Sequence, residues 1–193
     1  SRKPGGQSIA FTMDAGGTEN NQIFLLDIQN GSSVMLTDGA SRNGGPLWEK
    51  NGSRIAFQST RRNGQSNDVW VMNTKDLNSA EMILESPDGT WWGPSDWSKD
   101  GKKILIQNYI SITNAKAYIL DVESKKKEMI LGSNEIESYV AILSFDRSQN
   151  GVFFLTNEYG EFNQLAHKDL ETNEVTVLTK DIPWDIDGFA ISS

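Results

Sequence analysis

An internal repeat constrains this chain of 193 residues more than any other feature. Pro46-Leu47-Trp48-Glu49-Lys50-Asn51-Gly52-Ser53-Arg54-Ile55-Ala56-Phe57 aligns with Ser95-Asp96-Trp97-Ser98-Lys99-Asp100-Gly101-Lys102-Lys103-Ile104-Leu105-Ile106, and a third copy runs from Leu143-Ser144-Phe145 to Val152-Phe153-Phe154. Trp48, Trp97 and Phe145 are 49 and 48 residues apart, as are Ile55, Ile104 and Val152. Each copy continues into a second apolar run, such as Val69-Trp70-Val71-Met72 or Ala117-Tyr118-Ile119-Leu120, and a third ending near Leu84 or Leu131. The runs are short, rich in β-branched and aromatic residues, and bounded by Asn-Gly, Asp-Gly or Gly-Gly, so they read as strands joined by hairpins, with Lys50-Asn51-Gly52-Ser53 and Lys99-Asp100-Gly101-Lys102 as tight two-residue turns. No stretch of ten or more residues carries a 3.6-residue period. Four antiparallel strands recurring at this spacing predict an all-β fold, a β-propeller portion of about four blades. A β-sandwich with chance similarity between hairpins is the competing architecture.

Within each blade the strands are called A (the Trp48 type), B (Ile55), C (Trp70) and D (Leu84). Residues 8–45 then supply B, C and D of one blade, and residues 46–93, 94–139 and 140–186 supply three whole blades. Residues 187–193 offer a further strand A, since Gly188-Phe189-Ala190-Ile191-Ser192 has the apolar residues that Ser1-Arg2-Lys3-Pro4-Gly5-Gly6 lacks. The first strand B is therefore expected to be an unpaired edge, which that spare strand would cover. It could do so within the chain, between two chains as a strand-exchanged homodimer, or as part of a larger propeller.

Composition removes several functions. Eighteen Lys and Arg against 26 Asp and Glu give a formal net charge of -8, a poor surface for nucleic acid, whose affinity comes from cations neutralising phosphates. The absence of Cys removes disulfides, thiolate metal sites and cysteine nucleophiles together. No apolar run has the roughly 18–20 residues of a membrane helix, and the first residues lack the apolar core of a signal peptide, so no membrane partner is expected and the chain reads as soluble.

The loop strings point further. Leu36-Thr37-Asp38-Gly39-Ala40-Ser41-Arg42-Asn43-Gly44-Gly45-Pro46, Ser59-Thr60-Arg61-Arg62-Asn63-Gly64, Asp96-Trp97-Ser98-Lys99-Asp100-Gly101 with Asn108-Tyr109-Ile110-Ser111-Ile112, and Asp181-Ile182-Pro183-Trp184-Asp185 resemble the TolB-like (WD40-like) propeller of bacterial prolyl oligopeptidase family serine peptidases. That resemblance implies a propeller of seven or eight blades covering an α/β-hydrolase domain with a Ser-His-Asp triad, and restricting entry to peptides. This chain departs from the pattern: it holds about four blades' worth of strands and no Gly-x-Ser-x-Gly nucleophile elbow. The expectation is a non-catalytic propeller portion that shapes substrate access, binds peptide through its loops and has a hydrolase domain of the parent protein as its partner. The alternative is a stand-alone TolB-like module that binds a protein. A lyase acting through the propeller would need several histidine metal ligands, and His167 is the only histidine.

Neither a metal nor another cofactor is expected. Asp181, Asp185, Asp187 and Gly188 imitate a calcium loop without its closing Glu and read as turn carboxylates. Asp14-Ala15-Gly16-Gly17 and Arg42-Asn43-Gly44-Gly45 lack the helix and Lys of a phosphate cradle. His167 reads as structural or solvent-facing. Arg42, Arg61 and Arg62 fall in D-to-A and B-to-C loops, one face of the propeller, where guanidinium groups could hold a carboxylate or simply pair with neighbouring acids. Trp91, Trp92 and Trp184 fall in D-to-A loops of the same face, as partner contacts or as packing over the next blade. Lys102-Lys103 and Lys125-Lys126-Lys127 lie on turns of the opposite face, as solvated charge.

Overall fold

The computed structural model describes residues 1–14 and 16–189. These build four antiparallel sheets in which the strands follow each other in chain order. The first sheet holds β1 (Ser8–Met13), β2 (Gln22–Asp27) and β3 (Ser33–Met35); the second holds β4 (Asn43–Trp48), β5 (Arg54–Ser59), β6 (Asp68–Asn73) and β7 (Asp76–Leu84). The third consists of β8 (Trp91–Trp97), β9 (Lys103–Ser111), β10 (Asn114–Asp121) and β11 (Lys127–Leu131), and the fourth of β12 (Val140–Phe145), β13 (Gly151–Thr156), β14 (Gln164–Asp169) and β15 (Val175–Val177). The sheets are blades of an all-β propeller. No helix among the described residues is long and apolar enough to cross a membrane.

The repeat anchors sit in identical register: Trp48 opposite Ile55, Trp97 opposite Ile104 and Phe145 opposite Val152. Because strand side chains alternate between faces, each blade presents one apolar set forward and one backward. Ile55 and Phe57 of β5 pack with Ala10, Ile23 and Leu36 of the first blade, while Ala56 of the same strand packs with Trp97, Ile104 and Ile106 of the third. Leu105, Ala117 and Ile130 likewise join Val140, Phe145 and Phe154 of the fourth blade. Every core therefore lies between two blades. Consecutive blades pack in this way along the chain, and no strand of the fourth blade makes extended contact with the first, so the described residues form an open arc.

The first sheet has three strands with β1 at its edge, as expected, but that edge is partly covered from within the chain. Residues 1–3 occupy the end of a strand A despite having no apolar residue: Arg2 bridges Ile9, the Lys3 amide donates to the Ser8 carbonyl and the Ala10 amide to the Ser1 carbonyl, at 2.9 and 2.8 Å. The Trp48 indole donates to the Ser1 carbonyl as the Trp97 indole donates to the Leu47 carbonyl, so Ser1 stands where Leu47 stands one blade later. Backbone hydrogen bonds replace the missing apolar anchor. The spare strand A at residues 188–192 falls largely outside the described residues; Phe189 packs its ring 5.6 Å from that of Phe153.

The A-to-B turns also differ from tight two-residue turns. Each joins its strands through a longer loop in which one residue takes positive φ: Gly52 at 72°, Gly101 at 71° and Gln149 at 68°. In the second blade the loop closes on Glu49, a buried carboxylate that accepts Arg54 Nε and Nη2 at 2.8 and 3.0 Å, Ser53 Oγ at 2.9 Å and Asn51 Nδ2 at 3.0 Å. Burial pushes the Glu49 carboxyl up, but the hydrogen bonds from Arg54, Ser53 and Asn51 with the guanidinium's charge outweigh it and hold the group below its ordinary value of 4.5. A carboxyl lowered by folding contributes stability that is present above its unfolded value and lost as the pH falls through the folded one. Glu49→Gln should therefore lower the urea midpoint at pH 7, with the gap to the parent chain narrowing as the pH drops from 4.5. A gap that stays constant into acid would sever the link between this carboxylate and acid lability.

Candidate functional site

Strand A enters each blade on the face made by the D-to-A and B-to-C loops. The repeat offsets place Arg42, Trp91 and Tyr139 at the same point of three successive blades, the residue at the mouth of strand A. Arg42 and Trp91 are exposed and Tyr139 is half-buried, whereas the residues one step further in, Asn43, Trp92 and Val140, are all buried. Alternation explains the difference, since neighbours along a strand point to opposite faces. The result is a rim carrying a cation, an indole and a phenol in order.

Trp91 separates two clefts. The first, of 340 Å³, is lined by Asn21, Arg42, Asn43, Gly44, Gln58, Asn67 and Trp91. The second, of 590 Å³, runs between the third and fourth blades along Trp91, Gln107, Tyr109, Tyr139, Val140 and Ile142 and is mostly apolar. Strands β9 and β10 are longer than their counterparts in the other blades, and the extra length carries Tyr109, Ile110 and the exposed tip residue Ile112 past the rim. Gly93 is needed beneath the indole: a Cβ there would lie 2.5 Å from Trp91 Cη2 and 2.3 Å from Gln58 Nε2.

The six residues singled out on this face have different surroundings. Arg42 and Trp91 come together around the first cleft, and Arg42 makes no ion pair with a described residue. Arg61 lies over the rings of Trp70 and Phe57, at 4.8 and 5.6 Å, and faces Asp38 at 3.6 Å. Arg62 is held by Asp68 through Nε and Nη2 at 2.8 and 3.1 Å, and by Glu85 at 3.0 Å. Asp68 is fully buried and also accepts the Ser86 amide at 2.9 Å, so this pair fastens the B-to-C loop to the end of strand D. Trp92 is a core residue, its indole N–H donating to Asp88 at 3.0 Å and Lys127 lying 4.7 Å from its ring. Trp184 is exposed but stands apart from both clefts, beyond β15. Tyr139 and Gln58 were missing from the sequence reading, although the offset that links Trp91 to Tyr139 is the one that links Trp97 to Phe145.

On the opposite face, His167 Nε2 sits 3.0 Å from Asp146 Oδ2 with its ring against Phe153 at 5.0 Å. Burial pushes the Asp146 carboxyl up, but hydrogen bonds from Ser148, His167 and two backbone amides leave it below the usual carboxylate range. The Asp185 carboxylate accepts the amide of Asn163, 22 residues earlier in the chain, at 2.7 Å, a cross-link between segments and not a bond within its own turn. No cluster of three or more potential metal ligands occurs among the described residues.

Comparison with known proteins agrees with this architecture. TolB from Acinetobacter baumannii superposes with a TM-score of 0.72 at 18% identity, covering 92% of this chain and 42% of that one. A puromycin-hydrolysing peptidase of Mycobacterium tuberculosis gives 0.68 at 12% identity over 96% of this chain and 29% of that one. In sequence, the uncharacterized peptidase YuxL of Bacillus subtilis is 26% identical over 159 residues, which is 82% of this chain. The chain spans 22% and 37% of the lengths of the two curated relatives it matches. The family model of the prolyl oligopeptidase N-terminal beta-propeller domain matches residues 3–184, and with the blades, their register and their shared cores in view, the chain belongs to that family.

Proposed function

We propose that this propeller is the non-catalytic, access-shaping part of a peptidase of the prolyl oligopeptidase family, and that peptides meet it on the rim formed by Arg42, Trp91 and Tyr139. Its partner in the parent protein is a hydrolase domain lying over the D-to-A loop face. The observation that carries the reading is the rim itself: three blades in succession spend the inward neighbour on the core and leave a side chain suited to binding at the mouth of strand A. An aromatic flanked by a cation and hydrogen-bonding amides suits an extended peptide, whose side chains, backbone and charges need different partners.

Titration of fluorescently labelled oligopeptides tests this. Binding is expected to weaken by roughly tenfold in Trp91→Ala, the scale of a contact residue worth more than 1 kcal/mol. Lys102→Ala and Lys126→Ala, on the turns of the opposite face, should leave it unchanged. Binding that responded to the lysines and ignored Trp91 would move the site to the other face.

A further inference from the structure

We infer that the rim reads a peptide carboxylate, seating it at Arg42 and Gln58 while the adjoining apolar side chain crosses Trp91 into the cleft beside Tyr109 and Tyr139. This inference rests on the proposed peptide-binding role of the same face.

The first support is a hydrogen-bonding group left over by the fold. Gln58 and Gln107 hold the same position of strand B in consecutive blades, each three residues past its anchor, Ile55 or Ile104. Gln107 spends its amide on the next blade: Nε2 donates to the Val140 carbonyl at 2.9 Å and Oε1 accepts the Ile142 amide at 2.8 Å. Where Ile142 stands, the blade following Gln58 has Pro94, which carries no N–H. The clasp cannot form there, and the Gln58 amide makes no hydrogen bond to another described residue. Gln58 is one of the residues lining the 340 Å³ cleft.

The second support is charge. The cleft is lined by one guanidinium, four side-chain amides, a glycine and an indole, without a carboxylate, in a chain with an excess of eight acids. Arg61 and Arg62 each face Asp or Glu within the fold, so of the three arginines of this face Arg42 is the one without an acidic partner among the described residues. A guanidinium with planar amides beside it matches a carboxylate joined to a peptide unit, the charge going to Arg42 and the amide to Gln58. Beyond Trp91 the lining turns apolar, so the residue next to the carboxylate should be aromatic or aliphatic.

The carboxylate has two sources, a free C-terminus or an acidic side chain, and three labelled peptides separate them: one ending in Ala-Phe as the free acid, the same sequence as its amide, and an amide ending in Asp-Phe. Measured by fluorescence anisotropy on the 193-residue chain at neutral pH and low salt, at least one carboxylate form should bind roughly tenfold tighter than the neutral amide, the scale of a charge-assisted hydrogen bond. Whichever does so names the source. Arg42→Gln should erase that advantage, Gln58→Leu should weaken all three peptides, and Lys102→Gln should do nothing. Arg42 is exposed, so the variant's circular dichroism should match the parent's. If all three peptides bind alike and Trp91→Ala weakens them, the carboxylate inference falls while the rim remains a peptide site. Absence of binding, or an acidic oligosaccharide outcompeting every peptide, would overturn both.

Discussion

Truncating Trp97 to alanine should destabilise the chain by about 3–5 kcal/mol, the cost of deleting a large aromatic from a packed core. The side chain is fully buried among Val69, Val71, Ile104 and Leu120, and its ring is covered by the Arg54 guanidinium at 5.0 Å. Its indole N–H donates to the Leu47 carbonyl of the preceding blade at 3.2 Å. Phenylalanine stands at this position in the fourth blade, so Trp97→Phe should lose the hydrogen bond and part of the volume and cost about 1–2 kcal/mol. Urea denaturation at pH 7 measures both. A loss below about 1 kcal/mol for the alanine variant would mean that the second and third blades are held by something other than this anchor.

Asp96 should give the second large effect, because it ties three blades at one point. Its carboxylate meets Lys50 from the A-to-B turn of the second blade and accepts the buried Phe145 amide of the fourth at 3.0 Å, while sitting itself in strand A of the third. Asp96→Ala strands the Phe145 amide without an acceptor, at about 1–3 kcal/mol, and removes the lysine's partner. Asp96→Asn keeps an acceptor for the amide and should recover most of the loss, since the Lys50 side chain is half exposed and its pairing is screened by solvent. Hydrogen exchange at Phe145 separates the two contributions: fast in the alanine variant, slow in the asparagine one. Equal exchange in both would show that the carboxylate does not hold that amide.

Sequence patterning revealed the blades because each anchor pair recurs at nearly constant spacing, and an aromatic ahead of a turn with a branched residue after it has few other structural uses. Residues 1–3 escaped it because they hold their place through backbone hydrogen bonds, which leave no trace in side-chain type. The turns were misjudged for a related reason. Asn-Gly and Asp-Gly mark positive φ, but the number of loop residues is set by what the loop closes on, here Glu49. On the binding face, proximity in sequence misled: Arg61 and Arg62 look like Arg42 until Asp38, Asp68 and Glu85 fold against them. Trp91 and Trp92 are adjacent, and strand alternation alone assigns one to the rim and the other to the core. Tyr139 could have been found by carrying the repeat offset through to the loop residues. The open clasp at Gln58 needed the partner strand, since only there does Pro94 replace an amide donor.

The placement of every core between two sheets means that the unit of stability is out of phase with the unit of chain. A blade is what the sequence repeats, but a seam between blades is what excludes water, so four sheets supply three complete seams and two half-seams. The half-seam ahead of the first sheet shows Ile9, Phe11, Phe24 and Leu26, with the Phe11 and Phe24 rings stacked at 5.7 Å, and the one behind the last shows Leu165, while Phe153 beside it is met by Phe189. Cooperativity in such an arrangement passes from neighbour to neighbour, as in linear repeat arrays. Among the described sheets the second and third each border two of these three seams and the first and fourth each border one, so one damaged residue in a middle sheet can disturb packing on both of its sides.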